Sequence, residues 1–140
     1  MITTQGLNDL LDTYLGARAK EAAFYVGLIS GTGYTGVSAS DTMASHAGWT
    51  EYTDYSETSR PAISFGASSS GDVTNPVVVS FTPNADASVA GFFITTVATK
   101  GGSTGRIPFA GVFSEGVQYV KTAETQQFVI DIAAINQLGS

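Results

Sequence analysis

Leu7, Leu10, Leu11, Tyr14 and Leu15 recur at i, i+3, i+4, i+7 and i+8, the spacing that gathers side chains on one face of an α-helix. The pattern predicts a short helix over about 6–15, with Asn8, Asp9, Asp12 and Thr13 facing away from the stripe and Gly16 as its stop. A helix of that length is marginal by itself in water. Its stripe is therefore expected to lie on a sheet, a neighbouring subunit or a partner.

Beyond a linker around 18–21 the periodicity changes. Short runs rich in aromatic and β-branched residues, separated by Gly, Ser, Asn and Pro, predict about eight strands, near 24–30, 49–55, 62–65, 77–82, 89–98, 107–113, 117–121 and 127–135. Phe24, Val26 and Leu28 alternate with Tyr25, Gly27 and Ile29, and Phe128, Ile130 and Ile132 with Val129, Asp131 and Ala133, as in half-buried strands. Val77-Val78-Val79 and Phe92-Phe93-Ile94 are continuous apolar runs, which suit a strand covered on both faces or one lying in an interface. The stretch Ala67-Ser68-Ser69-Ser70-Gly71 reads as a mobile loop. Eight short strands with frequent turn signals predict an all-β fold, a two-sheet antiparallel β-sandwich of jelly-roll type with a short N-terminal helix.

The 140 residues suffice for a single domain, 1–140, that removes roughly two-thirds of its unfolded surface from water. Only 13% of residues are charged, against about 25% in an average domain, so polarity rests on Ser, Thr, Asn and Gln. Twelve acidic against six basic side chains give a net charge of −6, the wrong sign for neutralising phosphates, so no nucleic-acid partner is expected. With no cysteine, neither disulfides nor thiolate metal sites contribute. Residues 1–6 lack the regions of a signal peptide and no apolar run nears the ~20 residues of a membrane span; a soluble protein made in a cytoplasm is expected.

Several motifs invite chemistry and then fail its requirements. Gly31-Thr32-Gly33-Tyr34-Thr35-Gly36 matches G-x-G-x-x-G, with Glu51 about twenty residues on, but no helical stripe follows to present an N-terminus to a pyrophosphate. A glycine-rich hairpin loop fits better. In Lys100-Gly101-Gly102-Ser103-Thr104-Gly105 the lysine precedes the glycines, whereas a phosphate loop places it after them. His46 is the single histidine, too little for a triad or a typical zinc site; Asp41 is expected to cap a helical turn around it that Gly48 ends. Glu51, Asp54 and Glu57 are spaced by three, which does not aim two carboxylates of a strand at one point, so a hydrolase using Glu51 and Asp54 is a weak competitor. Asn84 and Asp86 lack the spaced oxygens of a calcium loop. No enzyme activity, metal or cofactor is expected.

Taken together, the helix Gly6-Leu7-Asn8-Asp9-Leu10-Leu11, the strand Phe24-Tyr25-Val26-Gly27-Leu28-Ile29, the block Asp41-Thr42-Met43-Ala44-Ser45-His46-Ala47-Gly48-Trp49-Thr50-Glu51, Tyr55 with Arg60-Pro61-Ala62, and the loop 100–105 resemble the small head decoration, or cement, proteins of short-tailed bacteriophages. The resemblance spans about 6–135. It implies a non-catalytic structural protein on the outer capsid surface of a virion, whose partner is the major capsid protein and whose task is to tie neighbouring capsid subunits together. The acidity suits a place outside the shell, away from packaged DNA.

Self-association is expected, a dimer over a trimer because two-fold symmetry is commonest. Candidate interface residues are Leu7, Leu11 and Tyr14 of the helix stripe, with Trp49, Tyr52, Tyr55 and Arg60, since Trp, Tyr and Arg dominate interface energetics; core packing is the alternative for each. A glycan-binding module of a phage head or tail fibre is the competing function, argued from the same aromatics.

Overall fold

The structure, a computed structural model, describes residues 1–70, 72–73 and 77–130. One helix, α1 (Thr4–Tyr14), opens the chain. The strands among the described residues are β1 (Phe24–Ser30), β2 (Glu51–Tyr52), β3 (Ala62–Ile63), β4 (Ser68–Ser69), β5 (Asp72–Val73), β6 (Val77–Phe81), β7 (Ala87–Thr95), β8 (Phe109–Val112), β9 (Gln118–Val120) and β10 (Gln126–Ile130). The chain is thus mostly β with one short N-terminal helix, and all eight regions expected to hold strands do so, generally as shorter strands. Residues 131–135 of the last expected strand lie outside the described residues. The serine stretch read as a mobile loop contributes β4 instead, which pairs with β5 as Ser68 opposite Val73 and Ser69 opposite Asp72.

The central pair is β1 with β7, antiparallel from Tyr25 opposite Thr95 to Ser30 opposite Val89. Ile29 faces Gly91 and Ser30 faces Val89, so Ala90 is an extra residue, a β-bulge that adds twist. β2 and β3 extend this sheet along β1, and β8 and β9 follow one another along β7. A separate antiparallel ribbon joins β6 to β10.

Both faces of the central pair are covered, which decides the shape of the core. One face packs Val26, Leu28, Val89 and Ile94 on Val79, Phe81, Phe128 and Ile130 of the ribbon, with Tyr52, Tyr55 and Ile63 closing the side. The opposite face packs Ile29, Phe93, Ala90 and Ala110 on Met43 and Trp49 of the 31–50 connection and on Ile107. Burying a side chain of this size is worth about 1.5–3 kcal/mol, so the second layer is a substantial part of the fold. The alternation in β1 led to the expectation of a half-buried strand; Val26 to Ile29 are instead all buried, because the 31–50 connection folds back over the outer face. Gly27 permits this, since the Phe93 ring occupies the space its side chain would need and a Cβ there would come within 2.2 Å of the ring.

The two continuous apolar runs resolve differently. Phe93 and Ile94 are buried on opposite faces of β7, a strand covered on both sides. β6 alternates, with Val79 in the core and Val78 outside beside its cross-strand partner Val129.

Candidate functional site

α1 is held to the body by polar groups. Thr3 is the N-cap: its Oγ1 accepts from the Gly6 N–H at 3.0 Å and donates to the Ile107 carbonyl. The Gln5 side-chain oxygen accepts from the Ile107 N–H at 3.0 Å, and the Thr3 N–H donates to the Pro108 carbonyl at 3.0 Å. Gly6 faces Pro108 so closely that a Cβ would come within 2.2 Å of the Pro108 carbonyl oxygen. One turn on, Asp9 accepts from Arg106 Nε at 2.7 Å and pairs with Arg18 at 2.8 Å, and Arg18 also holds Glu21. Asp9 does lie off the apolar stripe, as expected, but on the side of the helix that meets the body. The two arginines draw it inward.

Anchoring by Gln5, Gly6 and Asp9 turns the apolar stripe outward. Leu7 is half-buried, Leu10 and Leu11 are about half exposed, and Tyr14 and Leu15 are 86% and 74% exposed. An aliphatic and aromatic stripe at helical spacing is thus left in water by a helix whose dock is polar.

The remaining interface candidates are used inside the chain. Trp49, Tyr52, Tyr55 and Arg60 are all buried, so the core-packing alternative describes them. The Trp49 indole donates to Asp41 Oδ2 at 2.8 Å, stacks on His46 at 3.9 Å between ring centroids, and rests against Phe93 at 5.0 Å. Asp41 does not cap a helical turn as expected: residues 42–45 form a tight turn closed by Thr42 and Ser45, and the Asp41 carboxylate is taken by the indole and by the Ser38 N–H. His46 Nδ1 and the Trp49 carbonyl are 2.8 Å apart, fixing the ring that covers the indole.

Arg60 makes a two-pronged ion pair with Glu51, Nε to Oε1 and Nη2 to Oε2, both 2.8 Å, and donates from Nη1 to the Val97 carbonyl at 2.8 Å. Glu51 also accepts from the Gly101 N–H at 2.8 Å. Lys100 turns back to donate to the Tyr55 and Glu57 carbonyls, at 2.7 and 2.8 Å, over the Tyr55 ring. The glycine loop 100–105 is thus fixed by its own chain. Its positive φ at Gly101 and Gly105 serves that turn.

The other carboxylates have separate partners: Asp54 accepts from Asn84 Nδ2, Glu57 from the Thr82 N–H, and Asp86 from Lys121 and the Thr122 N–H. Those last two bonds, the backbone one foremost, hold the Asp86 carboxyl below its ordinary range. Among the described residues no three His, Asp or Glu side chains are grouped to hold a metal ion, and no helix is long and apolar enough to cross a membrane.

Tyr55 offers a pH test of this interior. Burial, then the charge of Glu51, pushes its phenol far above the usual value near 10, and its hydroxyl has no hydrogen-bond partner among the described residues. An acid whose folded pKa is raised supports the fold below its unfolded pKa and loses that support as pH rises beyond it. Stability of the native chain should fall above about pH 10. In Tyr55→Phe, which removes an unpaired hydroxyl, that alkaline loss should be smaller, with neutral-pH stability nearly unchanged; urea titrations between pH 8 and 11 check both. Equal alkaline loss in the two chains would assign it to other groups.

No family model matches the chain, and no curated protein matches it significantly.

Proposed function

We propose that this chain is a structural decoration protein that binds the outer surface of a phage head and bridges major capsid protein subunits, with the exposed face of α1 as its contact. The observation that carries the reading is the stripe of Leu10, Leu11, Tyr14 and Leu15, presented to solvent by a polar dock, with Leu7 half-buried at its start. The sequence resemblance supplies the partner. The two packed layers, the six-stranded sheet and the β6–β10 ribbon, support reading the fold as a sandwich of jelly-roll type. A symmetric oligomer, a dimer first, would give each assembly two such stripes and raise occupancy through linked weak contacts. The glycan-binding alternative drew on Trp49, Tyr52 and Tyr55, whose burial leaves it without a favouring observation.

The test is co-sedimentation with undecorated capsid shells across salt concentrations, with light scattering for the mass of the free protein. Saturable binding at a fixed ratio to capsid subunits is expected. In Leu11→Asp/Tyr14→Asp binding should weaken by roughly tenfold or more, since truncating or charging a central apolar contact commonly costs over 1 kcal/mol, while the thermal midpoint stays close to that of the native chain because Tyr14 stands in solvent and Leu11 is about half exposed, outside both core layers. Absence of saturable binding by the native chain would sink the proposal.

A further inference from the structure

A second surface lies away from the helix. A cleft of about 570 Å³ opens between the ribbon and the β8–β9 side of the large sheet. Its floor is aromatic: Phe113 stacks on Phe128 with centroids 5.0 Å apart and rings 14° from parallel, and Phe92 lies 6.2 Å from Phe113. Val112, Tyr119 and Val129 form the rim, Tyr119 and Val129 being 80% and 62% exposed.

The lining residues identify which part of each strand faces the cleft. On one side they are the consecutive residues 126–129, and on the other the consecutive residues 118–120. A groove over one face of a strand is lined by alternate residues, because side chains alternate sides. Consecutive residues mean that the cleft runs along strand edges. Among the described residues β10 pairs with β6 alone and β9 with β7 alone, so each presents an edge to it. Soluble proteins normally blunt such edges with Lys, Pro or a bulge. Gln118-Tyr119-Val120 and Gln126-Gln127-Phe128-Val129-Ile130 contain neither Lys nor Pro, and the β6–β10 register runs without a shift.

We propose that this cleft receives an extended peptide arm of a partner protein, which adds a strand beside β10 and β9. An arm fits better than the β10 of a second copy, because a second copy brings the same net charge of −6 to the contact. Alternate apolar side chains of the arm rest on Phe113 and Phe128, and main-chain bonds to the strand edges hold it, as in β-strand addition. Glu115 is the one charged residue among the described lining residues and the chain carries −6, so the arm lacks acidic residues and tolerates Lys or Arg. This surface is independent of the helix face, and the two readings fail separately.

A displayed library of about seven randomised residues, the length of an ordinary strand, selected against the full chain tests the proposal. Enriched peptides should carry apolar residues at alternate positions and no Asp or Glu. Their synthetic forms should bind roughly tenfold more weakly to Tyr119→Ala/Val129→Lys, a variant at two exposed positions, and lose binding when alternate amides are N-methylated. Binding should be unchanged in Tyr14→Asp, which alters only the helix face. Failure to enrich any peptide, enriched peptides without alternation, or binding indifferent to the cleft variant would overturn the proposal. So would a dimeric mass of the free chain that the cleft variant returns to monomer, which would seat a second copy there.

Discussion

Arg60→Met is expected to cost about 3–5 kcal/mol of folding stability, the usual price of leaving one partner of a buried ion pair uncompensated. The guanidinium side chain is fully buried and its partner Glu51 nearly so, and Arg60 lies over the Phe93 ring at 5.3 Å from its centroid. Removing it strands the Glu51 carboxylate inside and takes a donor from the Val97 and Gly102 carbonyls. The loop 100–105 should loosen with it, since Gly102 is held through Arg60 and Gly101 through Glu51. The companion Arg60→Met/Glu51→Leu removes both charges, and much of the loss should return, because apolar replacement of a buried pair is often close to neutral. Urea denaturation of both variants beside the native chain decides this. A single variant within about 1 kcal/mol of native would show that the pair is exchanged for water at little cost.

The same residues show how far the sequence could be read. α1 was legible to within two residues at its start, because a five-residue stripe at helical spacing is a local signal. The strand regions were legible because aromatic and β-branched runs stand between glycines, serines and prolines. What covers each face was not. The stripe was expected to seek cover, yet Gln5 and Asp9 find partners in Ile107 and Arg106, about a hundred residues away, and no local pattern announces that. β1 looked half-buried because its second cover, Met43 and Trp49, comes from an irregular connection without periodicity. β4 and β5 escaped notice because a serine-rich hairpin carries no apolar alternation.

Trp, Tyr and Arg were singled out as interface types, and the ambiguity there is physical. The properties that make these side chains strong at interfaces, large area and a polar handle, make them equally strong in an interior that satisfies the handle. Asp41 does this for Trp49 and Glu51 for Arg60. The rim of the cleft, Val112, Tyr119 and Val129, went unmarked because an unpaired strand edge is a property of strand order, which local sequence does not encode.

Trp49→Ala separates these roles most sharply. Were Trp49 a surface contact, its removal would lower capsid occupancy and leave the isolated fold intact. Inside the second core layer it fills the space between Phe93 and His46 and pairs its indole N–H with Asp41. Truncation should therefore cost about 3–5 kcal/mol, the range for removing a large aromatic from a core, and part of it comes from Asp41, left buried with the Ser38 N–H as its remaining hydrogen-bond donor. Trp49→Phe should recover most of the packing and retain a deficit of about 1–3 kcal/mol for the lost charge-assisted bond to Asp41 Oδ2, which keeps only the Ser38 N–H. Since a domain of ordinary stability holds only about 5–15 kcal/mol in all, the alanine variant should melt far lower and lose cooperativity, and any loss of shell binding should track the unfolded fraction. A thermal midpoint unchanged in Trp49→Ala would take Trp49 out of the core and return it to the surface, where its loss should then be read in capsid occupancy alone.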